Sequence, residues 1–224
     1  MNNVEMVVKM LEGAGVRWVF GVPSGPVLPF IEALRDGRSV QYVLTASETS
    51  AGFMAEAVGR LTGIPGVCVS TVGPGATNMT TGVGGAWLDR SPLIAITCNY
   101  DRHQLGRRTQ MLIDHQALFA PLTKASFLVE EGHVAETFAK AFAIATSEPP
   151  GPVHLDFPED VGTAEATEEP LPMNAGAPAP PPPQGVGAQV QRLLEHAQRP
   201  LVVTGLTFTR AQAPEALLQF IEAQ

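Results

Sequence analysis

This 224-residue chain has little that could cross-link it or hold a metal: two cysteines, Cys68 and Cys98, and no Cys-x-x-Cys, His-Glu-x-x-His or histidine-rich tract. Both cysteines fall inside apolar, strand-like runs. They read as small buried side chains, which excludes a disulfide framework and a thiolate metal site. Basic residues are also scarce. Lys and Arg number 14 against 22 Asp and Glu, giving a net charge of −8 and a pI near 5.1. That balance argues against nucleic acid or an anionic membrane as partner. No apolar run is as long as the roughly 18 residues that a membrane-spanning helix needs. The opening Met1-Asn-Asn-Val-Glu-Met lacks a basic region followed by a long apolar segment, so no secretory leader is read and a cytoplasmic location is expected. Two nucleotide signatures are missing as well. Gly73-Pro-Gly75 is not followed by the Lys-Ser/Thr of a phosphate loop, and Gly21-Val-Pro-Ser-Gly25 does not have the Gly-x-Gly-x-x-Gly spacing of a dinucleotide site.

What is present is a regular alternation. Val4, Val7, Val8 and Leu11 lie at helical spacing and predict a first amphipathic helix. Strands are read at Arg17 to Val22, Val40 to Thr45, Gly66 to Thr71, Leu93 to Cys98, Ala125 to Val129 and Val153 to Phe157. Helices are read near 26–36, 48–62, 75–88 and 133–147. Gly63-Ile-Pro65 closes the helix that begins at 48, as a glycine followed by proline should. Apolar strands alternating with helices of this length imply crossover units. The expected fold is α/β: a doubly wound, mainly parallel six-stranded sheet with helices on both faces. Residues 1–160 should form this domain. From 161 to 187 apolar periodicity is lost, and Ala177-Pro-Ala-Pro-Pro-Pro-Pro183 favours an extended linker. Beyond it a helix at 186–197, a strand at 200–205 and a helix at 211–222 read as the start of a second α/β domain, 188–224. They imply a piece of a longer polypeptide.

Glu48 stands where the strand ending near Leu44 gives way to a helix, at the carboxyl edge where open α/β sheets place ligands. Thr45-Ala-Ser-Glu48 also fits the capping box S/T-x-x-E, in which the glutamate bonds back to a backbone N–H. The two roles are compatible. Gly73-Pro-Gly-Ala-Thr-Asn78 marks a second such edge, where glycines serve a sharp strand-to-helix turn.

Read in order, Val19-Phe-Gly-Val-Pro-Ser-Gly25, Ser47-Glu48, Gly73-Pro-Gly-Ala-Thr-Asn78, Asp89-Arg-Ser-Pro92, Pro121-Leu-Thr-Lys124 and Gly151-Pro-Val-His-Leu-Asp-Phe-Pro158 form a series. It resembles the amino-terminal, pyrimidine-binding domain of thiamine-diphosphate-dependent enzymes, in the group of acetolactate synthase, pyruvate oxidase and benzoylformate decarboxylase. The likeness covers about residues 4 to 160. It implies a 2-keto acid decarboxylase or carboligase acting on a substrate such as pyruvate. In that chemistry a glutamate at the position of Glu48 holds a proton at the pyrimidine N1′, so that the cofactor's own 4′-amino group can take the proton from C2. Such a glutamate works best with a pKa raised by an apolar surround, which Ala46, Ala51 and Phe53 would allow. By the same resemblance Val22, Pro23, Thr71, Pro74 and Asn78 join Glu48 in lining the pyrimidine pocket. Turn geometry for Pro23 and Pro74, and capping for Asn78, are their ordinary roles.

The family holds the cofactor's diphosphate through Mg²⁺ at a Gly-Asp-Gly motif, and this chain has none. No metal ligand is therefore assigned here, and the chain alone should not turn over substrate. The resemblance leaves room for FAD as a second cofactor. It implies assembly as a homodimer or tetramer, with the diphosphate-binding domain of another subunit meeting the helices that carry Phe53, Met54, Met79 and Trp87. Departures limit the substrate. Ser47-Glu-Thr49 replaces the His-Glu-Gln of many relatives, and Arg107 to Gln116 replaces a segment bearing Phe-Gln-Glu. Gln110 and Gln116 read as polar loop residues, with entry into the site as the alternative, and His103 and His115 as surface histidines, with an acid–base role as the alternative. A separate pyrimidine-binding subunit of a two-chain decarboxylase and a non-catalytic nucleotide-binding domain remain as alternatives.

Overall fold

The structure, a computed structural model, describes residues 1–36, 39–211 and 214–223. The chain divides into two compact units, Met1–Pro178 and Ala179–Gln224. The first holds a six-stranded sheet: β1 (Trp18–Gly21), β2 (Gln41–Leu44), β3 (Gly66–Ser70), β4 (Leu93–Asn99), β5 (Ala125–Leu128) and β6 (Pro152–Pro158). Their spatial order is β2-β1-β3-β4-β6-β5, and every pairing is parallel. The expected α/β fold is therefore observed, with all six anticipated strands in place. Helices α1 (Asn3–Gly13), α2 (Leu28–Asp36), α3 (Glu48–Thr62), α4 (Pro74–Leu88), α5 (His115–Phe119), α6 (Val134–Thr146) and α7 (Glu159–Thr163) surround it.

Local chemistry explains several boundaries. Asn2 accepts from the Glu5 amide at 2.8 Å while Glu5 Oε2 accepts from the Asn2 amide at 2.9 Å, a complete capping box at the start of α1. Helix α3 ends at Gly63 in the left-handed region, φ 73°. Strand side chains alternate between two cores. Val67, Val69, Ile94 and Ile96 join α1, α2 and α6 on one face, whereas Phe20, Cys68, Leu93 and Ala95 join α3, α4 and Phe119 on the other. Burial pushes the Cys68 thiol up to about 12 and raises Cys98 too, so both stay protonated within the cores.

Helices α3 and α4 approach unusually closely. A Cβ placed on Gly82 would lie 2.5 Å from the Gly52 carbonyl carbon and 2.6 Å from the Phe53 nitrogen. Only glycine permits that contact, and it fixes the spacing of the two helices that begin at the sheet's carboxyl edge.

Residues after α7 stay with the first unit as far as Pro178. Ala166 donates to the Met1 carbonyl at 3.0 Å, and Gly176 donates to Thr146 Oγ1 at 2.7 Å. The second unit contains α8 (Val186–Glu195), α9 (Leu206–Ala211) and α10 (Pro214–Glu222). The strand expected at 200–205 does not form. A strand needs a neighbour for its backbone groups, and the described residues of this unit contain no other strand. Residues 212 and 213, at the start of the expected last helix, lie outside the described residues. Among the described residues no helix is long and apolar enough to cross a membrane.

Candidate functional site

The chain leaves β1 toward β2 on one side, and β3 continues on the other, so strand order reverses between β1 and β3. Ligands of open α/β sheets bind in the crevice at such a switch point. The loops after β1, β2 and β3 supply Val22 and Pro23, Thr45 to Glu48, and Thr71 to Gly75 at that edge. Pro74 opens α4 with its ring exposed.

Glu48 is the first residue of α3, and its carboxylate does not cap the helix. The N-cap is Ser47, whose Oγ accepts from the Ser50 amide at 3.2 Å. Thr45 is not the cap, because its hydroxyl donates instead to the Ser47 carbonyl at 2.9 Å and lies 3.2 Å from the Gly21 carbonyl. The capping box suggested by the sequence is therefore not formed. Glu48 reaches across to the neighbouring helix. Its Oε2 accepts from Asn78 Nδ2 at 3.3 Å, while Thr49 Oγ1 donates to the Asn78 carbonyl at 2.7 Å. Its Oε1 lies 3.3 Å from where a Cβ on Gly75 would stand; the same point is 2.8 Å from Thr71 Cγ2 and 3.6 Å from Ser70 Cβ. The fold thus brings together Glu48, Asn78, Thr71 and Gly75. Val22, Pro23 and Pro74 share the edge with them.

Among the described residues, three buried hydroxyls lack a hydrogen-bond partner: Tyr42 Oη, Ser70 Oγ and Thr71 Oγ1. Ser70 and Thr71 flank the Gly75 cradle, and Tyr42 Oη lies 3.0 Å from the Cβ position of Gly21, the last residue of β1. Orphaned buried hydroxyls are costly unless a ligand or water completes them. The phenol of Tyr42 is pushed up to about 12, chiefly by burial, with the Glu48 carboxylate acting in the same direction. It remains protonated and able to donate. A half-buried carboxylate, a glycine that leaves room before it and unsatisfied hydroxyls around it fit a polar heteroaromatic ring. The residues do not fit a metal. Among the described residues no group of three or more His, Cys, Asp or Glu could hold an ion.

Behind this edge lies a polar cluster that sequence reasoning missed. His115, expected at the surface, has a fully buried side chain. Its Nδ1 is 3.0 Å from Asp156 Oδ1 and its Nε2 is 3.2 Å from the Gly73 amide. Asp156 also accepts from Thr97 Oγ1 at 2.9 Å and from Asn99 Nδ2 at 3.1 Å to each oxygen. Burial acts to raise Asp156, but the hydrogen bonds donated by His115 and Thr97 outweigh it and hold the carboxyl below its usual range. Thr97 Oγ1 gives its one proton to Asp156, so it accepts from His154 Nε2 at 2.9 Å; His154 Nδ1 then accepts from Ser126 Oγ at 2.7 Å. The signal for this cluster was available. His154 and Asp156 alternate with apolar residues in a wholly buried strand, beside Thr97 and Asn99 in another, and buried polar side chains require partners. By contrast His103 and Gln110 are exposed, as read from the sequence, and Gln116 is exposed too but lies in α5 and not in a loop.

Burial lowers His154 to about 3 from its ordinary 6.5. The unfolded chain would take a proton near pH 6.5 that the folded chain refuses until about 3. Stability should therefore fall as pH drops through that window, by at most about 1.4 kcal/mol per pH unit for this group. Asp156, held low in the fold, adds a loss in the same direction at more acid pH. Urea midpoints measured from neutral pH downward should decline before the carboxylates titrate. A flat profile between about pH 6.5 and 5 would show that His154 is already protonated or reached by solvent.

Residues 1–118 match the family described as thiamine pyrophosphate enzyme, N-terminal TPP binding domain. Over 229 residues the chain is 39% identical to a probable acetolactate synthase large subunit of Methanocaldococcus jannaschii, covering 99% of the chain and 39% of that protein. It is 37% identical over 224 residues to the acetolactate synthase isozyme 2 large subunit of Escherichia coli, covering 100% of the chain and 40% of the relative. The acetolactate synthase large subunit of Corynebacterium glutamicum is 33% identical over 228 residues, with 99% and 36% covered. The chain spans about two-fifths of the length of the curated relatives it matches.

Proposed function

The chain belongs to the thiamine pyrophosphate enzymes, through their N-terminal TPP binding domain, and on that premise we propose that it supplies the pyrimidine half of the active site in an acetolactate synthase-like enzyme acting on a 2-keto acid such as pyruvate. In this reading residues 1–160 are the pyrimidine-binding domain, 161–187 a linker and 188–224 the beginning of a middle domain. The single observation that carries the proposal is Glu48 freed from capping, poised beside Gly75 among orphaned hydroxyls.

Thiamine diphosphate, when bound, would supply a carbon that becomes nucleophilic toward a keto group once its C2 proton is removed. Glu48 would hold a proton at Oε1, the oxygen facing Gly75, against a pyrimidine nitrogen. Asn78 keeps Oε2 engaged and so fixes the plane of the carboxyl group. Tyr42, Ser70 and Thr71 supply hydrogen-bonding capacity around the ring, with Val22, Pro23 and Pro74 forming its walls. Diphosphate and Mg²⁺ would be held by another domain, since the residues here do not fit an ion.

Assembly follows from the same reading. Phe53, Met54 and Trp87, on α3 and α4, are 44%, 44% and 42% exposed. This apolar face is suited to meet the diphosphate-binding domain of another subunit in a cytoplasmic dimer or tetramer. Met79, expected on that face, is fully buried instead and belongs to the core beneath it.

The complete gene product, given pyruvate, thiamine diphosphate and Mg²⁺, should consume pyruvate, release carbon dioxide and form acetolactate. Carbon dioxide with acetaldehyde would move the assignment to a simple decarboxylase, and oxygen consumption with a bound flavin would move it to an oxidase. Failure to consume any 2-keto acid would overturn it.

A further inference from the structure

We propose that His115 is a positioning residue: its Nε2 anchors the Gly73 amide and so fixes the β3–α4 loop against Glu48, with Asp156 setting the tautomer that makes this possible. The role rests on the reading of this edge as the cofactor site, but its geometry stands on the cluster alone. The Gly73 N–H can only donate, so Nε2 must carry a lone pair. The ionised Asp156 can only accept, so Nδ1 must carry the proton. Asn99 Nδ2 lies 3.2 Å from the same Nδ1, but both groups donate into Asp156 and neither donates to the other. One tautomer satisfies every contact.

The loop needs such an anchor. Gly73 has φ 62° and ψ −111°, a conformation that side chains avoid, and a Cβ placed on it would collide with the Met111 carbonyl oxygen. It is also the N-cap of α4 and has no side chain with which to cap that helix. Its own amide is therefore the handle by which the loop can be held, and His115 takes it. Four residues into α4 stands Asn78, which holds Glu48 Oε2. The line of contact runs Asp156, His115, Gly73, α4, Asn78, Glu48, from β6 to the reacting edge.

The cluster orients rather than conducts. Thr97, Asn99 and His115 all donate into Asp156, so protons converge on one acceptor and none can pass through it. A carboxylate behind an imidazole selects the ring tautomer and makes the opposite nitrogen a better acceptor.

The test uses the ¹⁵N-labelled 224-residue chain without cofactor. At neutral pH the His115 ring should show Nδ1 protonated and Nε2 bare, with a scalar coupling across the hydrogen bond to the Gly73 nitrogen. His115→Phe should speed exchange of the Gly73 amide about tenfold or more, the loss expected for one buried hydrogen bond, and shift the Asn78 side-chain amide. His115→Gln, which retains an acceptor, should restore most of the protection. The opposite tautomer, or an imidazolium, overturns the proposal. So does Gly73 exchange at the wild-type rate in a folded Phe variant. If that variant does not fold, the wild-type tautomer and coupling decide the matter. Because no cofactor is present, a negative result leaves the role of Glu48 untouched, and a negative result on Glu48 leaves this one untouched.

Discussion

Glu48→Gln in the complete gene product should slow exchange of the cofactor's C2 proton by about 10²–10⁴-fold, the usual size of a lost acid–base contribution. Gln keeps the length of the side chain, and its carbonyl can still accept from Asn78. What it loses is the ability to hold a proton at Oε1 beside the Gly75 backbone. The fold should barely notice. Ser47 and not Glu48 caps α3, so the variant gives up only a carboxylate in the first helical turn, worth about 0.3–1 kcal/mol against the helix dipole. The measurement is hydrogen–deuterium exchange at C2, quenched in acid and read by NMR, beside a thermal melt. A large kinetic loss with an unchanged melt supports the catalytic assignment. A wild-type exchange rate would reduce Glu48 to a helix-dipole residue and sink it.

Gly82→Ala should destabilise the first unit by about 3 kcal/mol or more. Overpacking a core commonly costs about 1–3 kcal/mol, and here the new methyl group meets the backbone of Gly52 and Phe53 rather than a side chain that could turn aside. At about 2–4 °C per kcal/mol for a domain of this size, the melting temperature should drop by roughly 6–12 °C. Gly13→Ala is the control. It adds its methyl group to open space at the end of α1 and should leave stability unchanged or raise it by about 0.5–1 kcal/mol. Equal melting temperatures for the two variants would show that α3 and α4 are not held as closely as described. The consequence reaches the site, because α3 carries Glu48 and α4 carries Asn78. Forcing the helices apart should also break their hydrogen bond.

The parallel sheet was legible because its central strands β3, β4 and β6 are buried on both faces. Gly66 to Ser70 and Leu93 to Asn99 are wholly buried, and such strands stand out as short apolar runs between helical stretches. A glutamate after one strand and a glycine turn after another pointed to the sheet's carboxyl edge, whereas the reversal of strand order between β1 and β3 emerges only in the folded sheet. Three features were not legible, for one physical reason. Thr45 fits a capping box by local spacing, but its hydroxyl is drawn toward Gly21, 24 residues away, and the cap passes to Ser47. His115 looks like a loop histidine until Asp156, 41 residues further on, and Gly73, 42 residues before it, close around the ring. The apolar run at 200–205 has strand composition but, among the described residues of its unit, meets no strand to pair with. Periodicity reports which face of an element is apolar. Which polar atom meets which is set when distant segments pack, and the dielectric cost of leaving a buried donor or acceptor unpaired then selects the partner.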